Sequence, residues 1–269
     1  MTEVAYYKPW FLFRVCEILA FGYLLYSCQR RMKSWGRGQQ RPDTVGWTLQ
    51  TIRIWLMEVL IQRQLLTLSF SRWVAHMLIF WGFICLGALS LFLFLLSLAE
   101  MSGIDGGLRT YFLHGSGHAA VKVWGDLFGI FLLVGLLSSG VRRLVGRPRQ
   151  LVNDQSDLVL LAYLIWLTLS GFVLEGLRLS QIHPDVARYS FVGRFFVLPW
   201  AIDAPDIGLW LTAVWTIHAF SGLGLLLYLP NSKLMHSLLG PVVIALNASE
   251  ELARKDIYWP SIKGHRPIK

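Results

Sequence analysis

The chain has 269 residues, of which 55% are hydrophobic and only 15% are charged. Several apolar runs are too long for strands of a soluble core, so the composition excludes an ordinary soluble domain and predicts an all-α integral membrane protein. The net charge of +9 would indicate nucleic acid in a soluble chain. Here the Lys and Arg residues gather in alternate loops, which is typical of membrane orientation, so no nucleic-acid partner is expected.

Five apolar windows are long enough to cross about 30 Å of hydrocarbon as helices, at roughly 1.5 Å per residue. They lie at residues 10–28, 73–99, 119–141, 157–177 and 207–229. Arg14 and Glu17 in the first window favour a retained span over a removable signal peptide. We therefore expect five transmembrane helices in one domain, residues 1–269, as a multi-pass protein of the inner (plasma) membrane.

Residues 43–68, between the first two windows, are apolar but interrupted by Arg53, Glu58 and Arg63. Arg72 follows them with little room for a loop. An interfacial helix on the cytoplasmic face therefore fits this segment better than a sixth span.

Basic residues set the predicted orientation of the bundle. The segment after the first window and the loop at residues 142–149 are rich in Lys and Arg, so both should be cytoplasmic. The other two loops are poor in them, which places the N-terminus outside and the C-terminus inside. The same basic pieces could seat a soluble partner protein or contact anionic lipid, and the charge pattern fits both interpretations.

Histidines in or beside the windows are the candidate functional residues, because ionisable groups are costly inside lipid. His183 lies in an outer loop and His265 in the polar tail, where surface roles are expected. For any single histidine, a hydrogen-bonded polar residue or an interfacial anchor is the plain alternative. The remaining candidates are His76, His114, His118, His218 and His236.

His218 and His236 are eighteen residues apart, which is five helical turns and roughly 27 Å along one helix. One continuous helix would present both imidazoles on one face, although Pro230 between them could kink it. A haem iron held by two neutral imidazoles suits electron transfer, whereas zinc would need Cys or acidic partners. The spacing therefore predicts two haem groups stacked across the membrane, in a bundle that encloses them.

Each haem needs a second histidine at a similar depth. His76, near the cytoplasmic end of the second window, and His236, just past the end of the fifth, are the natural pair for an inner haem. For the outer haem, His218 pairs with His118, and His114 is the alternate. Straight-helix counting places His218 about 10 Å deeper than His118, so this second pair depends on helix tilt.

Three stretches resemble a known family: RWVAHMLIFWGFICLG around His76, DLVLLAYLIWLTLSGFVLEGLRLS, and IHAFSGLGLLLYLPNSKLMHSLLGP. They are similar to the cytochrome b subunits of membrane heterodisulfide reductase and of the Dsr complex of sulfur metabolism. More distantly, they resemble the gamma subunit of respiratory nitrate reductase. The resemblance covers about residues 50–245, and the spacing of Pro230, Lys233 and His236 is its most specific part.

The resemblance to the nitrate reductase gamma subunit implies haem b ligands at His76, His218 and His236. That family carries a second ligand histidine on the second span, where this chain has Leu86. The absence of this histidine affects the outer haem. Its fourth ligand would instead come from the sequence HGSGH, as His118 or His114.

The heterodisulfide reductase and Dsr relatives imply a haem b subunit that carries electrons between menaquinone, or a comparable carrier, and a cytoplasmic iron–sulfur subunit. Further membrane or outer-side cytochrome subunits are additional candidate partners. A rival function from another class is a haem-free membrane anchor, or a small transporter whose histidines relay protons. The sequence shows neither an inverted repeat nor paired broken helices, which disfavours the transporter.

Quinone chemistry moves protons as well as electrons, so titrating groups should lie beside a haem. Lys122 and Asp126 lie one helical turn apart at the outer end of the third window, and Glu175 marks the outer end of the fourth. With His118 they form a candidate quinone site, and Lys122 resembles a lysine near the quinol in the nitrate reductase relative. An intrahelical Lys122–Asp126 ion pair is the plain alternative.

Overall fold

The computed structural model describes residues 10–35, 48–104, 107–113, 115–145, 155–180, 189–197 and 205–258. Within these ranges the chain forms helices and turns and no strands, so the all-α class is confirmed there. The described α-helices are α1 Trp10–Trp35, α2 Leu49–Trp55, α3 Arg63–Leu68, α4 Phe70–Met101, α5 Gly107–Leu113, α6 His118–Leu144, α7 Gln155–Leu179, α8 Ile207–Tyr228 and α9 Met235–Tyr258.

The contacts divide the chain into two compact units. The first unit is Met1–Arg14 with Val74–Gly222, and the second is Val15–Trp73 with Leu223–Lys269. The single domain expected from the sequence stays a prediction.

Four helices in the described ranges are long and apolar enough to cross a membrane. They are Phe70–Ala99, His118–Leu144, Gln155–Leu179 and Ile207–Asn231. This confirms the last four predicted windows as helices of membrane-spanning length. Helix α1 forms over the first window, but it is not among the four. Five spans are therefore not confirmed.

Helices α6 and α7 are antiparallel neighbours in the first unit. Lys122 of α6 forms an ion pair with Glu175 of α7 near one end. Near the other end, Arg143 Nη1 lies 3.2 Å from Asp157 Oδ2. Helix α8 packs against α7 through a small core. The two helices are also joined by a hydrogen bond of 2.5 Å, which the Tyr163 hydroxyl of α7 donates to the Ser221 carbonyl of α8. That core consists of Leu174, Leu177, Ile207 and Leu211.

Helix α8 ends at Tyr228, whereas the spacing of His218 and His236 predicted that both lie on one helix, which Pro230 could kink. A 3₁₀ turn follows over Leu229–Asn231, and α9 begins only at Met235. The prediction of one helix carrying both histidines is wrong, so the argument that their imidazoles share one face no longer applies.

Pro230 explains the break after α8. Its ring nitrogen has no hydrogen to donate, and its ring clashes with the carbonyl four residues earlier in a helix. Ser232 then has extended backbone, with φ −103° and ψ 168°. Side chains of α1 stabilise the turn: Arg31 Nη2 donates to the Pro230 carbonyl at 2.6 Å, and the Tyr23 hydroxyl accepts from Asn231 Nδ2 at 3.1 Å.

The segment predicted as an interfacial helix at 43–68 consists of three short helical pieces in its described part: α2, a π-helical turn and α3. Residues 43–47 lie outside the described residues. Gln62 has a positive φ of 54° where the π-helical turn gives way to α3. Trp55 Nε1 donates to the Pro241 carbonyl at 3.0 Å, which fastens α2 to α9. The interfacial location stays a prediction.

Gly82 of α4 makes the close contact between α4 and α6. A Cβ added at Gly82 would lie 2.6 Å from the backbone nitrogen of Leu132, so a side chain there requires the helices to separate. We expect Gly82→Ala to lower the stability of the detergent-solubilised protein by about 1 to 3 kcal/mol, the usual cost of overpacking.

Gly87→Ala is the matched control, because a Cβ at Gly87 would meet no atom of the structure within 4 Å. Both variants are compared with the wild type by thermal unfolding. Equal unfolding temperatures for the two variants would contradict the close contact at Gly82.

Candidate functional site

His218 of α8 is bonded to a side chain of the neighbouring helix α7. Its Nδ1 lies 2.9 Å from Ser170 Oγ. Ser170 Oγ also donates to the Leu167 carbonyl at 3.0 Å, and a hydroxyl has a single hydrogen to donate. Ser170 therefore accepts the hydrogen of His218 Nδ1. This tautomer leaves the lone pair on Nε2, where a metal would bind.

Two glycines lie near His218: Gly171 of α7 against its ring, and Gly222 one turn further along α8. A Cβ added at Gly171 would lie 3.1 Å from His218 Cε1 and 3.7 Å from Nε2. At Gly222, one turn after His218, an added Cβ would meet no atom of the structure within 4 Å. Gly171 thus lets the imidazole lie against α7, and Gly222 leaves open space on the same face of α8 as His218.

His118 and His236 are each bonded through Nδ1 to a backbone carbonyl of their own segment. His118 Nδ1 lies 3.3 Å from the Phe112 oxygen, and His236 Nδ1 contacts the Lys233 oxygen. A carbonyl oxygen only accepts, so both Nδ1 atoms donate, and in a neutral ring the lone pair is then on Nε2. Three of the four predicted haem ligands thus adopt the tautomer that suits iron.

The remaining predicted histidines are less closely defined. His76 lies partly buried in the second turn of α4. It belongs to the first unit and His236 to the second, so their pairing stays a prediction. His114, His183 and His265 lie outside the described residues.

Four ionisable side chains gather where α6 begins and α7 ends: His118, Lys122, Glu175 and Arg178, here called the charged cluster. Lys122 and Glu175 form an ion pair, with their side chains 3% and 20% exposed. Arg178 Nη1 lies 3.7 Å from Glu175 Oε2. His118 interacts electrostatically with the other three. The structure thus brings together three of the predicted quinone-site residues and adds Arg178 to them.

Asp126 contacts a different part of the chain, the segment 189–197, so the alternative of a Lys122–Asp126 ion pair is wrong. Asp126 is 4% exposed, and its Oδ2 accepts three hydrogen bonds. The donors are the Ser190 hydroxyl at 3.0 Å and the backbone N–H groups of Val192 at 2.7 Å and Gly193 at 3.3 Å. Asp126 therefore caps the 3₁₀ turn Gly193–Phe196 and fastens the segment to α6.

The charged cluster and His218 lie at different levels of the α6–α7 pair. His118 precedes Lys122 by four residues, about 6 Å toward the start of α6. Ser170, which bonds to His218, precedes Glu175 by five residues, about 7 to 8 Å in the opposite direction. The described contacts therefore do not bring His118 to the level of His218, and its role as an axial ligand stays a prediction.

Sequence reasoning missed Ser170, Gly171 and the role of segment 189–197. A Ser–Gly pair inside an apolar span is a signal of close helix contact, but it does not reveal which helix approaches. The contact of this segment with Asp126 could not be predicted, because Ser190 lies 64 residues from Asp126 along the chain.

A family model for HdrE, a subunit of dihydromethanophenazine:CoB–CoM heterodisulfide reductase, matches residues 52–244, more than half of the chain. The chain belongs to the HdrE family. The matched range includes all four predicted haem ligands. With its four long apolar helices, the chain is a membrane subunit of the HdrE type.

The HdrE subunit of Methanosarcina acetivorans is 26% identical over 225 residues, which are 84% of this chain and 77% of that protein. The HdrE subunit of Methanosarcina thermophila is 30% identical over 151 residues, and this chain spans 56% of its length. An EtfAB:quinone oxidoreductase of Syntrophomonas wolfei is 22% identical over 265 residues, which are 93% of this chain but 35% of that protein. No solved structure matches the chain.

We expect Asp126→Ala to loosen segment 189–197 in this HdrE chain. The three donors would lose their shared acceptor, at about 1 to 3 kcal/mol for each group left unsatisfied. Hydrogen exchange measured on peptides covering the segment should become faster.

Asp206→Ala, at an exposed aspartate just before α8, is the control and should leave that exchange unchanged. Unchanged protection of Val192 and Gly193 in Asp126→Ala would mean that Asp126 does not hold the segment.

Proposed function

We propose that this HdrE chain holds haem b and transfers electrons between a membrane-soluble carrier and an iron–sulfur partner subunit on the cytoplasmic side. The observation that carries the proposal is the bonding of the histidine rings. Nδ1 of His118, His218 and His236 each donates to an oxygen of the chain, which leaves the Nε2 lone pair of a neutral ring able to bind a metal. A haem iron with two imidazole ligands would supply one-electron transfer without an open position for oxygen.

The proposal includes two haems. His76 and His236 are the proposed ligands of the inner haem, on the resemblance and on their predicted depth. His218 is a proposed ligand of the outer haem, and the open space at Gly222, on the same face of α8, supports this role. His118, with His114 as the alternate, is the proposed fourth ligand.

The charged cluster is the proposed site of the carrier. Lys122 is 3% exposed although it lies on a membrane-spanning helix, and buried ionisable groups in such helices are functional candidates by default. Glu175 and His118 beside it could exchange the protons that accompany carrier oxidation. The relatives support a carrier of this class, since one is named for dihydromethanophenazine and another for quinone. Menaquinone is the proposed carrier.

Asp126 has a supporting role in this site. Its hydrogen bonds hold segment 189–197, and a Cβ at Gly193 would lie 2.8 Å from Glu175 Cγ, so the segment packs directly on the cluster. We therefore propose that Asp126 holds the segment that covers the carrier site and does not itself exchange protons with the carrier.

Five spans with the N-terminus outside, in the plasma membrane, complete the proposal. Helix α1 has 26 residues, which at about 1.5 Å per residue is long enough to cross the hydrocarbon. The segment α2 to α3 exposes Leu49 at 86% and Leu68 at 79%, beside the exposed Arg53 and Arg63. Such an amphipathic surface suits the membrane interface and a docking site for the partner subunit.

Ligand substitutions should change the haem content of the purified chain in a specific way. We expect His236→Ala and His76→Ala to remove the same haem, and His218→Ala to remove the other, which leaves about half of the wild-type b-type absorbance in each case. His265→Ala, in the tail outside the described residues, is the control and should keep full haem content.

Reduced-minus-oxidised spectra and haem quantification per chain provide the measurement. A wild-type chain without b-type bands would favour the haem-free anchor or proton-relay transporter instead. Full haem content in His236→Ala would contradict the assignment of His236 as a ligand of the inner haem. Comparison of His118→Ala with His114→Ala decides the fourth ligand.

Lys122→Met should slow haem reduction by menaquinol in membranes by about a hundredfold or more, the lower end of the usual range for loss of proton-transfer assistance. Glu175→Gln should act in the same direction, because the two groups form one ion pair.

Arg143→Met is the matched control, since it breaks the ion pair at the opposite end of the same two helices. It should leave the rate unchanged. An unchanged rate and affinity in Lys122→Met would exclude the charged cluster as the carrier site.

A further inference from the structure

The three histidines with defined Nδ1 bonds are held in two different ways. His118 and His236 bond to carbonyls three to six residues away in their own segments. His218 is bonded instead to Ser170, which lies 48 residues away on another helix. The position of the His218 ring therefore depends on how α7 packs against α8.

We propose that Ser170 is a positioning residue for the iron-binding imidazole of His218 and that it sets the reduction potential of the haem held there. This inference rests on the proposed function. Its basis is the pair of hydrogen bonds at Ser170 Oγ, one donated to Leu167 and one accepted from His218.

The bond from Oγ to Leu167 determines the direction of the bond to His218. Ser170 is 7% exposed, so its hydroxyl hydrogen is directed to a protein acceptor, and the Leu167 carbonyl lies 3.0 Å away. With that hydrogen used, the oxygen presents only lone pairs to Nδ1. The serine thereby fixes both the tautomer and the rotation of the ring.

Gly171 completes the contact. Because it has no Cβ, the imidazole can lie close to the backbone of α7, with Cε1 only 3.1 Å from where that Cβ would be. The serine oxygen and the glycine backbone together limit rotation of the ring, so the direction of Nε2 is set by α7.

An acceptor on Nδ1–H increases the electron density that the imidazole gives to iron. This favours the ferric state and lowers the reduction potential of the haem. Removing the acceptor should therefore raise the potential of the His218 haem and leave the other haem unchanged.

The test compares Ser170→Ala with Ser170→Thr in the full-length haem-loaded chain, by redox titration and by electron paramagnetic resonance of the ferric haems. The His218 haem is identified as the one lost in His218→Ala. Ser170→Ala should keep this haem, shift its potential upward and shift its low-spin signal. Ser170→Thr, which restores a hydroxyl, should return both toward wild type.

Ser138→Ala is the matched control, because Ser138 Oγ donates to a carbonyl three residues earlier at 2.8 Å, as Ser170 does, on α6. It should change neither haem. Unchanged potential and signal in Ser170→Ala, or loss of the haem in both Ser170 variants, would overturn the inference while the haem proposal stands. Absence of haem from the wild type would instead overturn the proposed function and this inference with it.

Discussion

The antiparallel alignment of α6 with α7 is the constraint on which the described site depends. Ion pairs near both ends, Lys122 with Glu175 and Arg143 with Asp157, mark how the two helices are aligned. Because an α-helix is rigid over a few turns, this register also sets the level of Ser170 and hence of the imidazole that it holds. A shift of one turn, about 5.4 Å, would separate the side chains of each ion pair.

The buried Lys122–Glu175 pair is weak evidence for stability. Burying two charges costs several kcal/mol per ion, and their attraction offsets this cost only with good geometry and further hydrogen bonds. Arg178 supplies a second cation at 3.7 Å from Glu175, which helps to compensate the carboxylate. An apolar pair at this position would hold the helices together as well, so stability alone does not explain the charges, and they fit the proposed carrier site.

Helix α7 connects the two parts of the proposed site. Ser170 contacts the His218 ring, and Glu175, five residues further along, belongs to the charged cluster. Because the two residues lie about 7 to 8 Å apart along one rigid helix, a movement of α7 would affect both. This arrangement is consistent with the proposed transfer of electrons between a carrier and a haem.

The sequence by itself determined the long helices and the histidines worth testing. Lipid offers no hydrogen bonds, so a spanning segment must be a long apolar helix, and this requirement is visible in any window of about twenty residues. The proline at position 230 also indicated that the helix could bend there. The conformation of the turn that follows, however, involves hydrogen bonds to Arg31 and Tyr23, which are far away in the sequence. Only the tertiary structure decided the partners of Asp126 and Ser170. Apolar length and proline chemistry are local properties, whereas a hydrogen bond between helices depends on how each helix rotates and slides against its neighbour.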